Sequence, residues 1–258
     1  MKNALRIAAM TGAVAAALVA TGLAAHDSDT VQAAASDKGK GKSNDIVLAH
    51  GSDRLPNTTA SDWTTYAEHV VSVTPVAESE IPPTPEEIER GEGIILRNVQ
   101  LRVDRVVWSK ENVSRPAPTS FDWTAYGWAF TGTDTSQRVK MAGEDEPRLE
   151  SGHSYLMAID WQEPRCSPGD APVPGQWRGL GVDSTIPFDN QVIGEGEMEG
   201  KPQSAKKVLA TLGIEEPDLS LEDKMTGKDT AALDKALDTA PPQTEEQFGP
   251  DPAETTCK

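Results

Sequence analysis

Cysteine, histidine and lysine-plus-arginine charge are all scarce in this sequence of 258 residues, and each shortage removes a class of function. It holds two cysteines and four histidines, with no Cys-x-x-Cys and no His-Glu-x-x-His, so neither a thiolate zinc centre nor a histidine-based metal site is spelled out. No Gly-x-Ser-x-Gly elbow occurs. Gly41-Lys42-Ser43 matches the end of a phosphate-binding loop, but Ser36 stands where that motif needs its first glycine, and no strand pattern precedes it. Lys and Arg number 24 against 41 Asp and Glu, a formal net charge of −17. Phosphate backbones and anionic headgroups repel such a chain, so nucleic acid is not an expected partner. The sequence assigns no catalytic residue, no cofactor and no metal ligand.

Long apolar runs are also missing, with one exception at the start. Lys2 and Arg6 precede the uncharged stretch Ile7 to Ala25, and Val31-Gln32-Ala33 offers a small-x-small cleavage site. Residues 1–33 therefore read as a secretory signal peptide, with cleavage near Ala24 or Ala25 as the alternative. No cysteine follows the apolar run, which excludes a lipid anchor. An uncleaved spanning helix is the competing reading, and the Ala and Gly content argues against it. The expected product is a secreted, extracellular chain without a membrane anchor. In an oxidising compartment Cys166 and Cys257 are expected to pair as a disulfide.

Apolar residues make up 37%, and 19 prolines and 21 glycines point to long irregular segments around a small core. Residues 34–59 read as a disordered polar linker, 60–213 as a β-barrel domain, and 214–258 as an acidic tail whose weak helix is tethered by the disulfide. Tyr66 to Glu78 is a β-branched strand in which Pro75 marks a bulge or an edge. Ile81 to Gly93, with three prolines and four glutamates, reads as an acidic loop or short helical turn. Val99, Leu101 and Val103 alternate with polar residues, and the phase slips at Arg105-Val106-Val107 as a bulge would make it. Phe121–Phe130, Ser154–Trp161 and one or two short strands within Trp177–Ile193 complete the set. Helical signals come last: Pro202 as a first-turn proline before Ala205, Val208, Leu209 and Leu212, then a weak helix over Thr230–Asp238.

One short helix cannot cover such a sheet, so the expected fold is mainly β: a small antiparallel OB-like barrel, with its apolar face turned on itself, plus the C-terminal helix and acidic tail. Ala67-Glu-His-Val-Val-Ser-Val73, Leu101-Arg-Val-Asp-Arg-Val-Val-Trp108 and Leu149-Glu-Ser-Gly-His-Ser-Tyr-Leu-Met157 together resemble uncharacterised secreted actinobacterial proteins with an OB-like barrel. The resemblance implies a fold and export, and carries no activity or functional residue.

Six tryptophans outnumber both phenylalanine and tyrosine. In Phe121-Asp-Trp-Thr-Ala-Tyr-Gly-Trp128, strand alternation puts Trp123 on one side and Asp122, Tyr126 and Trp128 on the other. An aromatic shelf beside a carboxylate suits a sugar, so Asp122, Tyr126 and Trp128 are the candidate ligand-binding residues. Packing of these rings into the barrel interior is the competing reading. His69 and His153 are the histidines to examine for a Ser–His–acid site. The acidic runs 144–146 and 195–199, with Asp183 and Asp189, suit either calcium or a solvated surface, and no EF-hand spacing is present. The function expected is a non-catalytic extracellular binding module for a cell-wall polymer or another exported protein; the alternative is a small secreted hydrolase.

Overall fold

The computed structural model describes residues 46–51, 53–113, 115–166, 172–212 and 219–248, all within the unit Ser43–Lys258. The signal peptide read at 1–33 lies outside them. In chain order the strands are β1 (Val47–Ala49), β2 (His69–Ile81), β3 (Glu92–Ser109), β4 (Ser120–Thr131), β5 (Arg138–Gly143), β6 (Tyr155–Gln162), β7 (Gln176–Gly179), β8 (Thr185–Pro187), β9 (Gly196–Met198) and β10 (Lys201–Gln203). The helices are α1 (Ala60–Tyr66), α2 (Pro85–Arg90), α3 (Ala205–Thr211), α4 (Leu221–Met225) and α5 (Thr230–Thr239).

The sheet grows from the β2–β3 hairpin, whose connection is built by short-range chemistry. Thr84 and Glu87 satisfy each other's backbone in a capping box, Pro85 sits in the first turn of α2, and Gly91 ends it with φ of 74°. The bulges expected from the sequence are present. Val76 is skipped after Pro75, and the β3 register jumps between Trp108 and Val106 and again between Arg105 and Val103. Strands run in the order β1-β5-β4-β3-β2-β6-β7, with β8 also on β6. The fold is thus mainly β, as expected.

Two features of the expected barrel are not found. Among the described residues no ladder joins β1 to β7, so the sheet is not closed by hydrogen bonds. It is also mixed rather than antiparallel, because β1 lies parallel to β5 with Val47 opposite Met141. That pairing corrects the reading of 34–59 as a disordered linker throughout: its second half adds a strand to the sheet, and Arg54 beyond it donates to the Gly179 carbonyl at 3.0 and 3.2 Å.

Around the first half of β2 and β6 the sheet is buried on both faces, not on one. Val71, Val73, Val99, Leu101, Tyr155, Met157 and Ile159 pack together on the inner face. On the outer face Val70, Leu156 and Ala158 meet Trp63 and Tyr66 of α1, Leu221 and Met225 of α4, and Leu233 and Leu237 of α5. The unbroken run Tyr155-Leu-Met-Ala-Ile159 is the local signature of a strand covered on both sides. α1 forms because Thr59 and Asp62 make a second capping box, which a search for glutamate at that spacing passes over. Pro202 starts no helix; it pairs with Glu197 in the small β9–β10 hairpin, and α3 begins after Ser204.

The C-terminal segment is likewise not a loose tail through its described part. Leu233 and Leu237 of α5 are 0% and 1% exposed. Beyond α5 the chain runs along α1, where the Gln243 amide donates to Thr65 Oγ1 at 2.7 Å and the Glu246 amide to the Tyr66 hydroxyl at 3.2 Å. Phe248 stacks edge-on against Tyr66. Cys257 lies outside the described residues, and so therefore does its expected pairing with Cys166.

Candidate functional site

A cleft of about 490 Å³ opens on the inner side between β4 and β7, where the sheet is left unclosed. Trp123, Tyr126 and Trp177 supply its aromatic surface, and Asp122, Gln176, Arg54 and Arg178 its polar groups. β4 and β7 approach closely because position 179 is glycine: a Cβ there would lie 2.9 Å from the Trp123 ring. The cleft's far wall is the segment 142–149.

Buried arginines hold that wall in place. Arg97, 1% exposed, donates Nε to the Tyr126 carbonyl at 2.9 Å and Nη1 to the Leu149 carbonyl at 3.2 Å and to Glu78 at 2.6 Å; its Nη2 bonds the Arg148 carbonyl. Arg148 in turn donates to the Met141 carbonyl at 3.0 Å and the Gly127 carbonyl at 2.8 Å, and pairs with Glu150. The Arg148 amide is gripped by buried Glu197, which also accepts from Tyr155 at 3.1 Å. Burial raises the Glu197 carboxyl above its usual range, and the backbone amides of Gly200 and Arg148 pull it back. Leu149, lining the cleft, sits at φ of 52°, a conformation that non-glycine residues rarely adopt, with its carbonyl accepting from Arg97.

Of the three candidate ligand residues, Asp122 and Tyr126 line the cleft and Trp128 does not. The reason is a bulge that the alternation rule did not include. Ile95 pairs with Trp128 and Leu96 with Tyr126, so Gly127 is the extra residue. A Cβ on Gly127 would lie 2.5 Å from the Ile95 carbonyl oxygen, which is why only glycine fits there. The Trp128 ring is taken up instead by the guanidinium groups of Arg138 and Arg148, 4.1 and 5.4 Å from its centre. Trp123, assigned to the opposite side, lines the same cleft from its β7 flank.

Neither histidine assembles a triad among the described residues. His69 Nδ1 is 2.8 Å from Ser109 Oγ, but its Nε2 meets the Arg115 carbonyl at 3.0 Å, not an acid. The ring is 2% exposed and stacks near Trp177, and burial lowers its pKa. His153 Nδ1 is 2.5 Å from Asp189 Oδ2, whose other oxygen takes the Ser154 amide rather than a hydroxyl.

The acidic runs are occupied chiefly with backbone groups. Glu195 accepts the Ala205 amide at 2.8 Å, Glu199 the Asp145 amide at 3.1 Å, and Asp183 the Thr58 hydroxyl at 3.1 Å. No group of three or more His, Cys, Asp or Glu among the described residues is placed to hold a metal ion. Glu222, in the first turn of α4, is raised to about 8 by burial first and then by Asp183, Asp223 and Asp145.

Arg54, Arg178 and Trp177 belong to the cleft and were missed by sequence reasoning. Arg54 sits in a stretch that carries no period, and Gln176-Trp-Arg-Gly179 is too short to announce which strand edge it forms. Comparison with protein families, with curated proteins and with solved structures gave no match to this chain. No helix among the described residues is long and apolar enough to cross a membrane.

Proposed function

We propose that this protein is an exported, non-catalytic binding module that holds a saccharide of the cell wall in the cleft between β4 and β7. The observation that carries the reading is the composition of that cleft: Trp123, Tyr126 and Trp177 together with Asp122 and Gln176, in a space of about 490 Å³. Ring faces suit the apolar C–H surfaces of a pyranose, and the carboxylate and amide suit its hydroxyls. The curled, incompletely closed sheet supports an opened OB-like barrel, akin to secreted actinobacterial proteins, in which the mouth between two strands receives the ligand. Export rests on residues 1–33 of the sequence. A hydrolase is the less supported reading, because among the described residues His69 and His153 are each placed with only part of a Ser–His–acid set.

The mature chain should co-sediment with purified wall polymer. Asp122→Asn and Tyr126→Ala should each weaken that binding at least tenfold while the melting temperature changes little, since Asp122 is exposed and Tyr126 half-buried. Retention of full binding by both variants would remove the cleft from the proposal.

A further inference from the structure

The cleft's β7 edge concentrates the charge that the chain as a whole lacks. Arg54 and Arg178 both line it, and they share a single carboxylate. Asp160 stands directly opposite Arg178 across the β6–β7 ladder, yet its oxygen is bonded to Arg54. Arg54 spends Nε on the Gly179 carbonyl and Nη2 on Asp160 and Gly179, which leaves Nη1 without a hydrogen bond among the described residues. The Arg178 guanidinium, on an exposed residue, makes no hydrogen bond among them at all. Partial burial, followed by the neighbouring charges of Arg54 and Arg165, pulls Arg178 below its ordinary value. At this edge of the cleft Asp160 is bonded to Arg54, and Arg178 has no bonded carboxylate among the described residues; the acids Asp122 and Glu146 line the β4 side and the far wall instead, so an anion could be received at Arg178.

We propose that the ligand is an acidic saccharide whose anionic oxygens dock on Arg178 and on the Nη1 amine of Arg54, while its ring lies toward Trp123 and Tyr126. The inference rests on the binding-module reading above and adds the charge of the ligand to it. A guanidinium presents a planar fork that matches the paired oxygens of a phosphate or a carboxylate. The net charge of −17 does not prevent this, because at physiological salt screening acts over about 8 Å and the groups within that reach decide the local field. Asp122 and Glu146, the acids that line the same cleft, are placed to accept from saccharide hydroxyls.

The test is calorimetric titration of the mature, full-length chain with four probes: a glycerol-phosphate oligomer carrying sugar, an oligoglucuronate, neutral chitohexaose and oligoglutamate. An anionic saccharide should bind at least tenfold tighter than chitohexaose, with affinity falling as salt rises. Arg178→Gln should erase that advantage without lowering the melting temperature. Comparing the phosphate and carboxylate probes identifies which oxyanion is preferred. Equal binding of chitohexaose that Arg178→Gln leaves unchanged would overturn the anionic ligand and leave the binding module standing. Oligoglutamate binding as tightly as either acidic saccharide would overturn the saccharide in favour of an acidic peptide. No binding by any saccharide probe would overturn both proposals.

Discussion

Replacing Glu222 by glutamine should make the protein more stable in mild alkali and leave it nearly unchanged in mild acid. Glu222 lies in the capped turn of α4, and burial with Asp183, Asp223 and Asp145 around it raises its carboxyl to about 8. An unfolded glutamate titrates near pH 4.3. Between those values the folded chain holds a proton that the unfolded chain has lost, so native stability falls as pH rises from about 4 and the loss is complete above about 8. At about 1.4 kcal/mol for each pKa unit, the shift corresponds to about 5 kcal/mol; with α4 short and at the surface, a loss on the order of 2–5 kcal/mol is expected. Glutamine keeps the shape of the protonated acid and never ionises. Asp160, Glu146 and Glu197 are raised too, so the wild-type curve alone does not isolate one residue. The difference between variant and wild type does. Urea unfolding followed by tryptophan fluorescence from pH 4 to pH 9 should show curves that nearly coincide at pH 4, differ by about 1 kcal/mol at pH 5 and diverge further in favour of glutamine by pH 9. Parallel curves across the range would refute the reasoning.

The Cys166–Cys257 pair should appear as one intramolecular link in a non-reducing peptide map, and closing a loop of about 90 residues contributes roughly 4–5 kcal/mol in the chain-entropy model. Cys257→Ser should expose the chain beyond α5 to protease while α5 stays protected by buried Leu233 and Leu237; two free thiols in the fresh protein would reject the bond. Trp128→Ala should lower stability by about 2–3 kcal/mol, because the ring packs between Arg138 and Arg148, while saccharide binding persists. Lost binding at unchanged stability would return Trp128 to the ligand shelf.

The parts of the fold that local chemistry dictates were legible in advance. Val99, Leu101 and Val103 announced β3 by their period, Pro75 announced the irregularity now seen at Val76, and the stutter at Arg105-Val106-Val107 announced the register jumps of β3. What long-range packing decides was not legible. β1 is three residues whose only reason to be a strand is the edge of β5. α5 looked too weak to dock because the apolar face that receives Leu233 and Leu237 is assembled from β2, β6 and α1. In the site, strict alternation grouped Asp122, Tyr126 and Trp128; Asp122 and Tyr126 do line the cleft, Trp128 is displaced by the Gly127 bulge, and Trp123, assigned to the other side, lines the cleft as well. A glycine between two aromatic residues in a strand is the signal that was present and not used.

The parallel pairing of β1 with β5 also sets an order of events in folding. Val47 leaves the ribosome long before its partner Met141, so the edge of β5 has no occupant until the middle of the chain has been made and placed. The Arg54–Asp160 pair and the contacts of Thr65 with Gln243 span still longer stretches. Pairings this remote in sequence make for slow folding, because loop closure precedes any contact that rewards it. If residues 1–33 direct export as proposed, through a pore that admits only unfolded polypeptide, slow folding of this topology would help keep the chain competent to cross.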